Sequence, residues 1–215
     1  MGFTSNDQSD ETNHSMKKFL TFFSIILFLS FAAFRFCHAS FSRKNPEDAP
    51  GTHTIYIMRH AQSNHEEMNI GDLDRPILES GKKEAEEMGE YLFRHGEKID
   101  LVIASPAMRT RMTAEIVCKK TGYDFQKVKW DTTIYRCSTE DLEDCIKGID
   151  EKYKTVLLVG HNNSVTIVSG MLQNDKVIND MPTAGITAIS FGITAWKDVK
   201  DGSGKLVFYK TPAHY

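Results

Sequence analysis

Short apolar runs alternate with amphipathic segments along most of the chain. The apolar runs are rich in β-branched and aliphatic side chains, which is typical of strands buried on both faces of a sheet. They cover residues 54–58, 101–104 and 156–159. Between and after these runs, apolar side chains recur at three- and four-residue spacing, which predicts amphipathic helices. The predicted helices cover residues 80–95, 107–121, 139–149 and, from 162 or 163, to 172.

Strands that alternate with helices predict a single α/β domain of three layers, in which helices cover both faces of a mostly parallel sheet. Two later runs, residues 185–191 and 205–209, flank a Gly/Asp/Ser turn at residues 201–204 and predict a hairpin at the sheet edge. Active sites of such sheets lie outside the carboxyl ends of the strands. The residues that directly follow each strand are therefore the candidates for chemistry.

The N-terminal region has a different pattern. Residues 19–34 (FLTFFSIILFLSFAAF) carry no charge and follow two lysines, and small residues surround a possible cleavage point after Ala39. As a helix the run would span about 24 Å, less than the bilayer core of about 30 Å. Residues 16–39 therefore predict a signal peptide or a membrane anchor. Either alternative places the following domain outside the cytoplasm, as a secreted or periplasmic protein or as an anchored one.

The segments around the apolar run are polar. Residues 1–15 have no hydrophobic period and predict a disordered extension, whereas residues 40–52 contain two prolines and a glycine and predict a linker. The domain that carries the function is expected to cover residues 53–215. We expect this domain to be a monomer that contacts a membrane only if residues 19–34 are retained.

Charge and cysteine spacing exclude several classes of function. The formal net charge is -3 at pH 7, which argues against a nucleic-acid-binding protein because affinity for phosphate backbones needs a basic surface. Cys118, Cys137 and Cys145 have no metal-ligand spacing and predict buried or free thiols, with a bridge between Cys137 and Cys145 as the alternative. We therefore expect neither a bound metal nor any other cofactor.

Cationic and imidazole side chains follow three of the predicted strands. Arg59 and His60 follow the first strand, Arg109 lies five residues after the second, and His161 comes shortly after the third. An isolated histidine or arginine is usually structural or solvated. Three strand ends that deliver such groups to one edge of a sheet are better explained by a shared ligand.

Phosphate is the ligand that this set of side chains predicts. Guanidinium groups present forked donors that fit phosphoryl oxygens, and arginine keeps its charge at every working pH. The sequence contains neither a P-loop lysine motif nor a carboxylate cage for magnesium, so nucleotide-dependent transfer is disfavoured. A neutral imidazole between arginines can instead attack phosphorus and hold the phosphoryl group until water removes it.

Six short motifs follow one another along the chain: residues 56–63 (YIMRHAQS), 74–77 (DRPI), Gly81, 105–114 (SPAMRTRMTA), 159–162 (VGHN) and 181–184 (MPTA). Their order resembles the histidine phosphatase superfamily, which has the phosphoglycerate mutase-like fold. The DRP element, the short chain and the MPTA segment are similar to its small SixA-like branch of phosphohistidine phosphatases. The resemblance implies that His60 is the phosphorylated nucleophile, that Arg59 and Arg109 bind the phosphoryl oxygens, and that His161 stabilises the transition state.

Further residues are candidates for substrate contact and for proton donation. The resemblance implies that Arg75 joins the phosphate site, although a surface ion pair with Asp72 or Asp74 is the alternative, and Ser63 and Asn64 are candidates for substrate contact. Larger members of the superfamily supply a glutamate as proton donor, and this chain has no clear equivalent of that glutamate. Asp74, with Asp72 beside it, and Glu140 are the candidate donors, and Glu140 alternatively belongs to the first turn of a helix.

These observations predict a metal-independent phosphatase that hydrolyses phosphate monoesters or phosphoramidates through a phosphohistidine on His60. Its substrate would be a phosphorylated small molecule or a phosphoprotein, because a short middle segment leaves few loops to cover the site. The alternative is an exported or membrane-anchored phosphate-binding module with weak or vestigial catalysis.

Overall fold

The continuous apolar runs form the centre of a sheet in the computed structural model, which describes residues 52–64, 71–95, 98–173 and 178–213. In this part of the chain six strands pair in the order β3-β2-β4-β1-β5-β6. The first four strands of that order are parallel, and β5 and β6 are antiparallel to their neighbours. The predicted mostly parallel sheet with an edge hairpin is confirmed. The strands are β1 (Thr52–Arg59), β2 (Leu101–Ala104), β3 (Lys129–Trp130), β4 (Thr155–Gly160), β5 (Ile186–Gly192) and β6 (Lys205–Lys210).

Helices cover both faces of this sheet, as the amphipathic patterns predict. Met88 of α1 and Tyr56 of β1 belong to one buried cluster, whereas Leu142 of α3 and Val168 of α4 join Ile57 of β1 in the other. Adjacent strand residues point to opposite faces, so β1 contributes to both clusters. The helices in the described residues are α1 (Glu79–Arg94), α2 (Met108–Thr121), α3 (Thr139–Lys147) and α4 (Ser164–Leu172).

The start of α3 follows from its capping residues. The Ser138 hydroxyl accepts a hydrogen bond from the Asp141 backbone N–H at 3.1 Å, and the Asp141 carboxylate accepts one from the Ser138 N–H at 2.9 Å. This reciprocal pair satisfies two helix donors that would otherwise lack partners. The helix ends at Lys147, two residues before the predicted end.

Two features of the sheet also differ from the sequence-based prediction. Thr52, which we assigned to the linker, belongs to β1 because it pairs with Gly192 of β5. The two-residue strand β3 was not predicted, since Lys129 and Trp130 are exposed and too few to produce a strand pattern.

The three described cysteines are free thiols, and burial raises the pKa values of Cys118 and Cys145 to about 12.

Among the described residues, no helix combines the length and the apolar character that crossing a bilayer requires. The predicted extension (1–15), the signal peptide or anchor (16–39) and all but the last residue of the predicted linker (40–52) lie outside the described residues. The described residues lie within the compact unit Asn45–Tyr215.

Gly81 lets α1 pack directly against the loop that follows β1. A Cβ atom at this position would lie 2.2 Å from the Gln62 carbonyl oxygen, much closer than van der Waals contact allows. We expect Gly81→Ala to lower the free energy of unfolding by about 1–3 kcal/mol because the backbone beside His60 must shift. Gly170 of α4 is the matched control, since a Cβ atom there meets nothing within 4 Å.

Chemical denaturation of the two variants measures this difference. Gly170→Ala should be neutral or stabilising by up to about 1 kcal/mol, because alanine is the better helix former. Equal effects of the two substitutions would show that the contact with Gln62 does not limit packing at Gly81.

Candidate active site

His60 lies at the carboxyl end of the central strand β1 and is 7% exposed. Its Nδ1 is 2.8 Å from the carbonyl oxygen of Ala61. A carbonyl oxygen only accepts hydrogen bonds, so Nδ1 carries the proton in the neutral ring and the Nε2 lone pair is available. The loop is held in place by the Ala61 N–H, which donates to the Thr113 hydroxyl of α2 at 3.0 Å. The Nε2 atom is therefore the ring nitrogen that can bond to a ligand.

His161 follows β4, the parallel neighbour of β1, and its ring centroid lies 5.3 Å from that of His60. Its Nε2 is 2.9 Å from the Ser105 hydroxyl at the end of β2. If that hydroxyl donates to Nε2, Nδ1 carries the proton and can donate to a ligand. The carboxyl ends of β1, β2 and β4 thus bring the two histidines together as the sequence predicts.

Both histidines are held in the neutral form. Burial lowers the pKa of His60 to about 3, with further lowering by His161, Arg109 and Arg59, although the hydrogen bond to Ala61 acts in the opposite direction. Burial also lowers the pKa of His161 to about 4, with Arg109 contributing next. A neutral imidazole is the form that can attack phosphorus.

The two imidazoles should remain neutral at pH 5.5, where an ordinary histidine with a pKa near 6.5 is largely protonated. Two-dimensional NMR of histidine-labelled protein measures this directly. In the window between about pH 6.5 and pH 4 the unfolded chain binds protons at these rings and the folded chain does not. We therefore expect the free energy of unfolding to fall as the pH decreases through this window. Titration of both rings at pH 6.5 or above would contradict the structure.

Arg59 and Arg109 flank the histidines from different directions. Arg59 Nη1 donates to the Met181 carbonyl oxygen at 2.7 Å, and Arg109 Nη1 donates to the Asp72 carbonyl oxygen at 2.6 Å. The Arg109 residue is 5% exposed, which is unusual for a charge and requires partners. Both guanidinium groups are therefore fixed in orientation by backbone carbonyl groups.

Asp72 holds several arginines together at the edge of the site. Its carboxylate lies 2.9 Å from Arg75 Nη2, 3.3 Å from Arg109 Nη2 and 3.2 Å from Arg136 Nη2. The Tyr135 hydroxyl donates to the same carboxylate at 2.7 Å. This hydrogen bond is the largest contribution that lowers the pKa of Asp72, to about 2, and Arg109 and Arg75 lower it further. Asp72 is therefore an ionised positioning group at neutral pH.

The candidate substrate-contacting residues lie around this centre. Arg75 pairs with Asp72, so the ion pair that we considered as the alternative to a phosphate contact is present. Arg75 also lies near enough to Arg109 and His161 to lower the pKa of each. Ser63 is 3% exposed and forms an isolated antiparallel β-bridge with Ile77. The Asn64 N–H donates to the Pro76 carbonyl oxygen at 3.2 Å.

The two candidate proton donors are placed differently. Asp74 is exposed at the end of a 3-10 turn (Asp72–Asp74), and Glu140 is exposed in the first turn of α3. Glu140 therefore has the helix-start position that we named as its alternative.

Arg111, two residues after Arg109, is exposed, and its guanidinium lies over the Trp130 ring at 5.3 Å from the centroid.

Sequence reasoning missed several residues of the site. Tyr135 reaches Asp72 across 63 positions of the chain, and its ring packs edge-on at 5.7 Å from His161. Arg136 has a φ of 53° and reaches Asp72, whereas Asn162 contacts Asp180 and Met181. The only sequence signal for these contacts was the adjacency of Asn162 to His161 in the VGHN motif.

Several donors that converge on the site have no hydrogen-bond partner within the described part of the chain. They are the buried atoms Arg59 Nε, Arg109 Nε and His161 Nδ1. Buried donors are normally paired, and unpaired ones require an explanation. A bound oxyanion is one explanation, because its oxygens are hydrogen-bond acceptors. Around the same centre four guanidinium groups pair with two carboxylates, and the excess of positive charge matches a phosphate dianion.

Comparison with known proteins agrees with this geometry. The family model of the histidine phosphatase superfamily (branch 1) matches residues 55–133, which include His60, Arg109 and β1 from Ile55 onward. An uncharacterised protein of Mycobacterium tuberculosis, Rv1276c, is 27% identical over 164 residues, which is 72% of this chain and 99% of that protein. The mitochondrial serine/threonine-protein phosphatase Pgam5 of Drosophila sechellia is 36% identical over 76 residues, 34% of this chain and 25% of its own length.

Solved structures share the fold over nearly their whole length. The protein histidine phosphatase SixA in complex with tungstate has a TM-score of 0.64 at 19% identity, with 75% of this chain and 98% of that chain covered. A protein from Nakamurella multipartita assigned as the phosphohistidine phosphatase SixA has a TM-score of 0.66 at 22% identity, covering 76% and 98%. The family model confirms the resemblance to the histidine phosphatase superfamily over residues 55–133, and the SixA structures share the fold of this chain. The comparisons support a phosphatase hydrolase.

Proposed function

We propose that this phosphatase, similar to the histidine phosphatase superfamily, hydrolyses phosphate monoesters or phosphoramidates without a metal ion, through a phosphohistidine on His60. The observation that carries the proposal is a set of buried donors that have no hydrogen-bond partner among the described residues, near an imidazole whose Nε2 is available. These donors are Arg59 Nε, Arg109 Nε and His161 Nδ1. Side chains with a purely structural role would have their buried donors paired within the protein. The oxygens of a bound phosphoryl group would instead accept hydrogen bonds from these donors.

Binding of the phosphoryl group is the first step. Arg59 and Arg109 are already oriented by carbonyl groups, so the site loses little conformational freedom when the dianion binds. Asp72 keeps Arg75 and Arg109 side by side despite their like charges. These preorganised donors then stabilise the charge on the equatorial oxygens of the transferring phosphoryl group.

Chemistry follows at His60. The Nε2 lone pair attacks phosphorus, the bond to the leaving group breaks, and the Ala61 carbonyl oxygen stabilises the positive imidazole through Nδ1–H. His161 donates from Nδ1 to a phosphoryl oxygen, since its Nε2 is held by Ser105. Water then attacks the phosphohistidine, phosphate departs, and Nε2 regains its lone pair.

The substrate class is supported by the relatives. SixA is a protein histidine phosphatase, and Pgam5 is a serine/threonine-protein phosphatase. A phosphoramidate and a phosphate monoester present the same phosphoryl group to the arginines, so one site accommodates both. We therefore propose a phosphorylated small molecule or a phosphoprotein as substrate.

The proposed location is outside the cytoplasm. It rests on the uncharged run at residues 19–34 and the small residues before Ala39, which together have the composition of an export signal or an anchor. Sequencing of the mature N-terminus by mass spectrometry separates the two forms: a start at Ser40 shows cleavage, and an intact run shows a retained anchor.

Hydrolysis of 4-nitrophenyl phosphate and of a phosphohistidine peptide by the purified full chain tests the proposed function. We expect turnover of both, unchanged by EDTA, because arginine supplies the charge that a metal would otherwise supply. Loss of activity on chelation would contradict metal independence. Tight binding of tungstate without any turnover would show a phosphate-binding module instead.

A further inference from the structure

Departure of an alkoxide from phosphorus requires a proton, and the carboxylates suggested by the sequence are poorly placed to give one. Glu140 lies in the first turn of α3 and Asp74 at the end of a 3-10 turn. In the described part of the chain neither carboxylate forms a hydrogen bond or ion pair with Arg59, His60 or His161. Asp72 is ionised, because Tyr135 and the neighbouring arginines hold its pKa near 2. A different carboxyl group must serve substrates with poor leaving groups.

Asp180 is a carboxylate that the structure brings to the phosphate-binding residues. Its Oδ1 lies 3.8 Å from Arg59 Nη1, and its side chain is 76% exposed. His60, by contrast, is 7% exposed and approaches phosphorus from the buried side. In-line displacement places the leaving oxygen opposite the attacking nitrogen, which is the solvent side of the site. An exposed carboxylate beside Arg59 is therefore a candidate for the leaving-group side of the site.

Hydrogen bonds hold Asp180 in this position. Asn162 Nδ2 donates to Asp180 Oδ1 at 2.7 Å and also lies within 3.2 Å of the Met181 carbonyl oxygen. The orientation of the Asn162 amide is fixed, because its Oδ1 accepts a hydrogen bond from the Thr166 hydroxyl at 2.8 Å. The same hydroxyl accepts from the Met181 N–H at 3.0 Å.

This chain of contacts connects Asp180 to both catalytic strand ends. Asn162 directly follows His161, and Arg59, which directly precedes His60, donates to the Met181 carbonyl oxygen at 2.7 Å. A carboxyl group held at one oxygen by an amide retains the other oxygen for proton transfer. Its position is thus fixed relative to the nucleophile and to the second histidine.

We infer that Asp180 is the catalytic general acid of this site, held by Asn162 at the leaving-group side. The inference rests on the proposed function, since it concerns the same displacement at phosphorus.

The proton moves in a closed cycle. As His60 Nε2 forms its bond to phosphorus, the P–O bond breaks and the Asp180 carboxyl proton passes to the leaving oxygen, so the alcohol departs neutral. In the second half the Asp180 carboxylate accepts a proton from the attacking water, the P–N bond breaks, and its electron pair returns to Nε2. The products are alcohol and phosphate, and Asp180 is protonated again.

Dependence on the leaving group tests this role. With the full chain, kcat/KM of Asp180→Asn is compared with that of the wild type on 4-nitrophenyl phosphate, whose leaving group needs little protonation, and on phenyl and benzyl phosphate, whose leaving groups need more. General acid catalysis contributes about 10²–10⁴-fold. We expect Asp180→Asn to lose about 100-fold more activity on benzyl phosphate than on 4-nitrophenyl phosphate.

Asp74→Asn and Glu140→Gln are the matched controls, and each should change kcat/KM for all three esters by the same factor. An equal loss on all esters in Asp180→Asn, or selective loss in one of the control variants, would overturn the assignment of Asp180. Phosphohistidine in the alkali-quenched wild-type enzyme would support the proposed function. If Asp180→Asn then lost activity equally on all three esters, only the assignment of the general acid would be refuted. Absence of phosphohistidine in the wild type would refute both.

Discussion

Replacement of His60 by alanine is expected to lower kcat for any phosphate ester by about 10⁵-fold, because loss of a catalytic nucleophile leaves only the contribution of the binding groups. Arg59, Arg109 and His161 remain in this variant, so phosphate should still bind. Turnover of 4-nitrophenyl phosphate measures the loss, and competition by tungstate measures the remaining affinity.

His95→Ala is the matched control for this substitution. His95 is an exposed histidine at the end of α1, where its ring contacts Tyr91. We expect this variant to retain the wild-type kcat. Thermal unfolding of both variants separates chemistry from folding: His60→Ala should still unfold cooperatively. Retention of more than about one hundredth of the wild-type kcat in His60→Ala would argue against covalent catalysis at this residue.

Arg109→Lys is expected to have the second largest effect, a loss of about 10²–10³-fold in kcat/KM, comparable with removal of one preorganised donor from a charged transition state. Lysine keeps the charge but lacks the planar fork. In the native protein Nη1 and Nη2 of Arg109 contact Asp72, which leaves Nε for the substrate. A lysine ammonium group cannot serve both partners with the same geometry.

Arg111→Lys provides the comparison, because Arg111 lies on the same helix, is exposed, and stacks on Trp130 outside the site. Its kcat/KM should stay within about threefold of the wild type, since surface substitutions have small effects. Steady-state kinetics of both variants measures the difference. Equal losses for the two arginines would indicate a general effect of charge at α2 rather than a phosphoryl contact by Arg109.

The central strands and helices could be predicted because their sequence patterns are local. The runs at 101–104 and 156–159 are apolar without interruption, and the strands β2 and β4 occupy the middle of the sheet, where both faces are buried. The amphipathic pattern of α1 is similarly local, and its Ala85 and Met88 are fully buried. Strand β3 lacked such a pattern, because an exposed two-residue edge strand is defined by its neighbour rather than by its own side chains.

The positions of the site residues follow from the strands, and so they could be predicted with them. His60 and His161 come together because β1 and β4 are adjacent and parallel, and their carboxyl ends lie at the same edge. Their catalytic roles remain predictions. The contacts of Asp72 with Tyr135 and of Asp180 with Asn162 could not be predicted, since they join loops whose paths depend on the packing of the whole domain.

The most direct test of the central claim is identification of the phosphorylated residue during turnover. Enzyme mixed with excess substrate, quenched in alkali to preserve phosphohistidine and digested, is analysed by mass spectrometry. The account predicts a phosphoryl group on the imidazole of His60, present in the wild type and absent from His60→Ala. Steady turnover with no phosphorylated peptide, or a phosphoryl group on another residue, would contradict it.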